Sequence, residues 1–218
     1  MNIISIEGAD GVGKSTIANL LYQKISENYP DFLTKLYHEP AYFTEEIYST
    51  NINNLSNQKY LTLLFLISRK KLINNLVNKS QKDKENQILI FDRYIDSTVV
   101  YQVLLQRTID FNNLIYIHKK LIFEENEVPS LTFILEADKQ DIINRIQQKK
   151  GKKLFDDEIE KIELIQNLYK KLPLVFSDRI FFYFNTSKNS PNEIIDKMLR
   201  IIESKIVLPN RILKVTIF

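Results

Sequence analysis

Two hydrophobic periods alternate along the chain. Short, mostly apolar runs read as strands, Ile3 to Ile6, Ile88 to Phe91, Pro129 to Leu135 and Ile180 to Phe184, and a further strand is expected over Thr34 to His38. Between them apolar residues return every three or four positions, as Ile17, Leu20, Leu21 and Ile25 do, and that spacing predicts helices. The helices expected are Ser15 to Asn28, Gln58 to Lys79, a segment carrying Tyr101 and Gln102, Phe111 to Glu125, one from Gln140, Asp156 to Leu172, and Pro191 to Ile206. A run such as Ile88-Leu89-Ile90-Phe91, apolar at every position, suits a strand covered on both faces, the condition of a parallel sheet between helical layers. The expected fold is α/β in three layers, a five-stranded, mostly parallel sheet flanked by helices, forming one domain over 1–218.

One helix breaks the amphipathic rule. Leu61-Thr62-Leu63-Leu64-Phe65-Leu66-Ile67 is apolar nearly all round, so the helix over 58–79 is buried on more than one side. The second side meets either the domain's own core or another copy of the chain, and the expectation is a homodimer through this helix. Phe65 and Arg69 lie one turn apart on it. Taken alone, that pair is read as a core aromatic followed by a surface cation rather than as a binding pair.

Composition narrows the partners. The 218 residues are 44% hydrophobic and 26% charged, ordinary for a globular protein, and a formal charge of +3 is too small to argue for a nucleic-acid or membrane-surface binder. There is no cysteine, which removes disulfides, thiolate chemistry and zinc–sulfur sites and fits a reducing cytoplasm. No apolar run approaches the ~20 residues of a membrane span. His38 and His118 stand apart with no metal-ligand spacing, which suits structural or surface roles.

The chemistry concentrates after the first strand. Three of the four glycines fall in Gly8-Ala9-Asp10-Gly11-Val12-Gly13-Lys14-Ser15-Thr16, which fits the phosphate-loop pattern G-x-x-x-x-G-K-[ST]. Its inward N–H groups and the Lys14 ammonium would cradle the phosphates of ATP, with the Ser15 hydroxyl on Mg²⁺. A glycine-rich turn that binds nothing is the bland alternative. Asp92 and Arg93 close the strand Ile88 to Phe91, at the sheet edge where ligands of parallel sheets bind, placing Asp92 for magnesium water and Arg93 for a phosphate. Arg145 leads into Lys149-Lys150-Gly151-Lys152-Lys153, a basic segment hinged on the fourth glycine. It reads either as a lid over transferring phosphates, about 148–156, or as a solvated charge run. The apolar tail, about 207–218, has no assigned role.

With these elements in order, the chain resembles the thymidylate kinases, within the P-loop nucleoside-monophosphate kinases. The segments that carry the likeness are GADGVGKST, LLFLISRKK, FDRYIDSTVVYQ, PSLTFILEAD and NTSKNSPNEII, spanning about residues 3 to 187. The resemblance implies transfer of the ATP γ-phosphoryl group to dTMP with Mg²⁺. It puts ATP on Gly8 through Thr16, that is Gly8, Ala9, Asp10, Gly11, Val12, Gly13, Lys14, Ser15 and Thr16. It puts dTMP on Asp10, Glu39, Tyr42, Phe65, Arg69, Arg93, Ser97, Tyr101 and Gln102. Asp10 would meet the acceptor sugar, Phe65 would stack on the thymine and Arg69 would hydrogen-bond to it. The transferring phosphate would be served by Lys14, Asp92, Arg93, Arg145, Lys150, Lys152 and Lys153, and the metal by Ser15 and, through water, Asp92. The chain departs from the family pattern where His38-Glu39-Pro40-Ala41-Tyr42-Phe43 lacks an arginine, which Tyr42 would replace, and in a lid of lysines. Two rivals remain at this point: a deoxynucleoside kinase using Glu39 as base, and a nucleotide-binding switch or non-catalytic binder.

Overall fold

A computed structural model describes residues 2–50, 55–77, 86–121, 128–151 and 153–206. The tail over 207–218, Lys152 of the lid and the far ends of the helices expected to reach Lys79 and Glu125 lie outside the described residues.

Five parallel strands form the sheet, β1 (Asn2–Glu7), β2 (Leu33–His38), β3 (Gln87–Asp92), β4 (Leu131–Glu136) and β5 (Phe181–Asn185), in the spatial order β2-β3-β1-β4-β5. Every described pairing is parallel, because each return passes through helical chain on one face or the other. Alternate residues of β1 feed two cores: Ile4 and Ile6 pack with Ile17, Leu21 and Ile25, while Ile3 packs with Leu89, Phe91 and Leu66. Helices α1 (Lys14–Asn28), α6 (Lys139–Lys150) and α9 (Pro191–Lys205) contribute to the first core, and α3 (Leu55–Val77) and α5 (Phe111–Leu121) to the second. No helix among the described residues is long and apolar enough to cross a membrane.

Register decides what meets at the ligand edge. Ile6 pairs with Asp92, and His38 pairs with Asp92 from the other side, so the phosphate loop after β1, the Asp92–Arg93 step and the His38–Glu39 step emerge side by side. β1 lies between β3 and β4, at the point where the chain's direction of travel across the sheet reverses.

Helix α3 leaves one of its apolar sides uncovered in the single chain. Leu61, Leu64, Leu66, Leu72, Ile73 and Leu76 are buried, whereas Tyr60, Leu63 and Ile67 are exposed at 52%, 46% and 44%. The segment bearing Tyr101 and Gln102 departs from expectation. A four-residue α4 (Ile95–Thr98) runs into a π-helical stretch, Val99–Leu105, closed by the Gln106 amide bonding the Tyr101 carbonyl at 2.9 Å. The wider turn sets Thr98, Gln102 and Gln106 along one wall of a cavity. The helix expected over Asp156 to Leu172 stops earlier, as α7 (Asp156–Lys170), and a short α8 (Leu172–Val175) with Pro173 in its first turn follows. Between β2 and α3 lies a short α2 (Thr44–Ser49) that the hydrophobic pattern does not predict.

Candidate active site

The loop from Gly8 to Thr16 turns at glycine because no other residue fits. A Cβ on Gly8 would sit 2.4 Å from the Leu135 carbonyl oxygen, and Gly13, at φ 94°, holds the left-handed conformation that starts α1. Lys14 is buried against this turn. Its Nζ donates to the Ala9 carbonyl at 2.7 Å and lies 3.7 Å from Asp10. Burial, then the like charge of Arg93, push its pKa down to about 8 against the pull of Asp10, Asp92 and Glu7. A cavity of about 780 Å³ opens above the loop, walled by Gly13, Lys14, Arg145, Lys149 and Lys150.

Arg145 is a fixed wall of this cavity. Its guanidinium donates to the Thr186 hydroxyl at 2.9 Å, the Thr186 carbonyl at 3.2 Å and the Gly11 carbonyl at 3.4 Å, and Thr186 in turn donates to the Val12 carbonyl at 2.9 Å. It thereby separates the main cavity from a recess of about 280 Å³ between Gly13, Thr186, Asn189 and Pro191. Lys150 lines the cavity but is bonded to Glu158 at 3.1 Å, and Lys153 is exposed and outside the lining.

Beside the loop, the Ser15 hydroxyl donates to Asp92 Oδ2 at 2.5 Å, and His38 Nδ1 lies 3.0 Å from the same oxygen. Asp92 Oδ1 is buried with no hydrogen-bond partner. A hydroxyl and an unshared carboxylate oxygen are hard donors of the kind Mg²⁺ takes, so the pair fits that ion. Among the described residues no group of three or more His, Asp or Glu side chains surrounds a point.

A second cavity, about 310 Å³, adjoins the first, and Asp10 and Tyr101 line both. Phe65, Glu39, Arg93 and Gln102 are among its walls. Arg93 sits at the junction: Nη2 donates to Asp10 at 2.6 Å, Nη1 to Ser97 at 3.0 Å and to the Tyr169 hydroxyl at 3.1 Å, and the guanidinium lies 5.4 Å from the Tyr101 ring centre. Despite burial, these oxygens hold it firmly charged. Arg69 and Glu39 form a two-pronged ion pair, with Nε to Oε1 at 2.7 Å and Nη2 to Oε2. Both are almost fully buried, and Arg69 also donates to Thr98 at 3.1 Å and covers the Tyr94 ring at 4.7 Å. Its Nη1 has no hydrogen-bond partner.

Most of the sequence-assigned residues therefore converge. Lys14, Ser15, Asp92, Arg145 and Lys150 gather at the first cavity, and Glu39, Phe65, Ser97 and Gln102 at the second, with Asp10, Arg93 and Tyr101 between. Tyr42 is not brought there: its hydroxyl accepts from Asn75 at 2.8 Å, Lys71 covers its ring, and it stands outside the cavity lining. Arg69 backs the second cavity without lining it. Sequence reasoning passed over Glu7, Thr98 and Tyr169, while Lys149, part of the expected basic lid, lines the first cavity. Glu7 carried a signal, an acid closing an apolar strand; Tyr169, in the helical pattern of α7, carried none. Two anions could lie end to end here, one over Lys14 and one against Arg93, each facing fixed positive charge.

The family model "Thymidylate kinase" matches residues 6–198. The thymidylate kinase of Aster yellows witches'-broom phytoplasma (strain AYWB) is 30% identical over 216 residues, 93% of this chain and 95% of that protein. That of Brachyspira hyodysenteriae is 26% identical over 208 residues, covering 95% and 96% of the two chains. Among solved structures, the Ehrlichia chaffeensis thymidylate kinase superposes with a TM-score of 0.65 at 19% identity, over 92% of this chain and 98% of that one. The Candida albicans thymidylate kinase gives 0.61 at 22% identity, over 93% and 91%, and both share the fold.

Proposed function

The chain belongs to the thymidylate kinase family, and we propose that its two adjoining cavities hold ATP and dTMP with the reacting phosphates meeting beside Asp10. It is an ATP-dependent kinase that moves the γ-phosphoryl group onto the 5′-phosphate of dTMP, giving dTDP and ADP. The observation that carries the site assignment is the pair of cavities sharing Asp10 and Tyr101, one walled by Lys14 and the other by Arg93.

A phosphate monoester is largely dianionic at neutral pH, its second pKa being about 6, so its attacking oxygen needs no general base. Catalysis then consists of holding two polyanions in line and neutralising them. Lys14 and the loop amides take the donor phosphates, Arg93 the acceptor phosphate, and Arg145 fixes the nucleotide side, with the recess by Thr186 and Pro191 suited to the adenine. Phe65 offers its ring to the thymine, while Arg69, behind the wall of this cavity, holds Glu39 in place by its two-pronged ion pair. Ser15 and Asp92 would hold Mg²⁺, which supplies positive charge to the donor phosphates. Glu39 has both oxygens taken by Arg69, which argues against its serving as the base that a nucleoside 5′-hydroxyl requires. The exposed apolar stripe of Tyr60, Leu63 and Ile67 supports a homodimer through α3, and a cysteine-free chain using ATP and dTMP fits the cytoplasm.

The direct test is ADP release from Mg-ATP with a panel of nucleoside monophosphates and nucleosides. Turnover is expected with dTMP and not with thymidine. If dTMP, dUMP and thymidine all fail to release ADP, the assignment is wrong.

A further inference from the structure

Arg93 is held in a conformation that arginine resists. Its φ is 75°, in the left-handed region, and its side chain turns back over the phosphate loop to meet Asp10. Something must over-determine that pose, and the contacts around it converge on a residue that takes no part in binding. Glu7, the last residue of β1, is fully buried. Its Oε1 accepts the backbone N–H of Tyr94 at 2.7 Å, the amide directly after Arg93. Its Oε2 accepts from the Ser97 hydroxyl at 2.6 Å, and Ser97 Oγ accepts from Arg93 Nη1 at 3.0 Å. The Arg93 amide itself bonds the Ile6 carbonyl at 3.1 Å.

We infer that Glu7 is a positioning residue that fixes Arg93 from both ends, clamping its kinked backbone through Tyr94 and its guanidinium through Ser97, so that the arginine is preorganised for the acceptor phosphate. Glu7 immediately precedes Gly8, so the same residue ties the donor loop to the acceptor arginine. Each anchor enters at a different part of Arg93, and Tyr169 steadies the relay, its hydroxyl lying 2.8 Å from Ser97 Oγ. A merely structural carboxyl in this place would hold the strand end without regard to what Arg93 binds. A positioning role makes a narrower demand: loss of Glu7 weakens whatever binding uses the phosphate of the acceptor and spares the rest.

The inference rests on the reading of Arg93 as the ligand of the acceptor phosphate, and equilibrium binding separates the two. Calorimetric titrations with dTMP, thymidine and ATP are made on the full-length wild type and on Glu7→Ala, Glu7→Gln and Arg93→Ala. Glu7→Ala is expected to weaken dTMP by about tenfold or more while thymidine and ATP stay within about twofold. Glu7→Gln keeps an acceptor for the Tyr94 amide and a hydrogen-bonding group toward Ser97, so it should recover most of the dTMP affinity. Equal weakening of dTMP and thymidine in Glu7→Ala, or an equal loss for ATP, overturns the inference. If Arg93→Ala fails to discriminate dTMP from thymidine, the reading of Arg93 falls and takes the inference with it. A selective Arg93→Ala with an unselective Glu7→Ala overturns the inference alone. Should Glu7→Ala not fold, Glu7→Asp, whose shorter side chain cannot reach both the Tyr94 amide and the Ser97 hydroxyl, takes its place, and the same selective loss is required of it.

Discussion

The Arg93 guanidinium donates to the Asp10 carboxylate at 2.6 Å, joining the third residue of the phosphate loop to the arginine of the neighbouring strand end. Asp10 is also the loop residue that lines both cavities with its side chain largely exposed. Removing it should disturb the acceptor more than the donor, because Lys14 and the loop amides remain. Asp10→Ala is expected to raise KM for dTMP about tenfold with KM for ATP within about threefold, as steady-state rates with each substrate varied in turn will read. Equal rises in both would refute the assignment.

The buried pair of Arg69 and Glu39 carries a stability prediction. Both groups lie out of water, 1% and 5% exposed, and taking away one partner leaves a buried charge uncompensated. Glu39→Ala should cost roughly 3–5 kcal/mol. For a chain of this size that lowers Tm by about 10 °C, read by thermal unfolding without ligand. Replacing both residues by Met should recover much of the loss, since the desolvation of both charges is then avoided. A drop below about 2 °C for Glu39→Ala would show the pair to be solvated in solution.

How far the sequence disclosed this site follows from the range of each interaction. The phosphate loop was legible because its signal is local: glycines where φ is positive or a Cβ would collide, followed by Lys14 and Ser15 at fixed spacing. Most of the strands were legible as short, largely apolar runs, and parallel pairing then placed Asp92 and Arg93 at the same edge as the loop. Partners far apart in the chain were not. Tyr169 meets Arg93 across 76 positions, and as a buried residue beside Leu168 in a helical pattern it looks like core packing alone. The pairing of Glu39 with Arg69 crosses 30 positions and redirects both side chains toward each other. The π-helical widening in Val99–Leu105 has no counterpart in a periodicity that an apolar run cannot resolve.

Lys14 supplies a prediction about protons. Without nucleotide its pKa is pushed down to about 8, mainly by burial and by Arg93. Phosphates brought into the loop favour the charged ammonium and raise that pKa, so binding near pH 8 must take up a fraction of a proton. ATP affinity should therefore weaken as pH rises from about 7 to about 9.5, and calorimetry in buffers of different ionisation enthalpy should record the uptake. Lys14→Ala abolishes the uptake and lowers kcat by about a hundredfold or more. An uptake unchanged in that variant would assign the proton elsewhere.

The exposed stripe on α3 makes a claim about assembly. Tyr60, Leu63 and Ile67 follow one helix face at spacings of three and four, and a partner helix would bury all three. A charge at the centre of that stripe must then be desolvated on association. Sedimentation of the wild type should give a dimer and that of Leu63→Glu a monomer with unchanged circular dichroism. A monomeric wild type at tens of micromolar, an order-of-magnitude working range for weak association, would exclude the interface.

Glu7 makes stability depend on pH in a direction opposite to that of most carboxylates. Burial, then repulsion from Asp96, raise its pKa from the ordinary 4.5 to about 8, against hydrogen bonds from Ser97 and the Tyr94 amide and the attraction of Arg93. Between those two values the folded chain holds a proton that the unfolded chain has released, so the folded state binds more protons and stability falls as pH rises. The loss begins near pH 4.5, continues to about pH 8 and then levels. Glu7→Gln cannot titrate and lacks this component, and taking the difference between the two proteins cancels the contribution of groups that do not interact with Glu7. Urea unfolding at about pH 5.5 and about pH 7.5 should therefore show the variant gaining roughly 1–3 kcal/mol on the wild type as the pH is raised. Parallel stability curves would mean that Glu7 is ionised in the folded protein throughout this range.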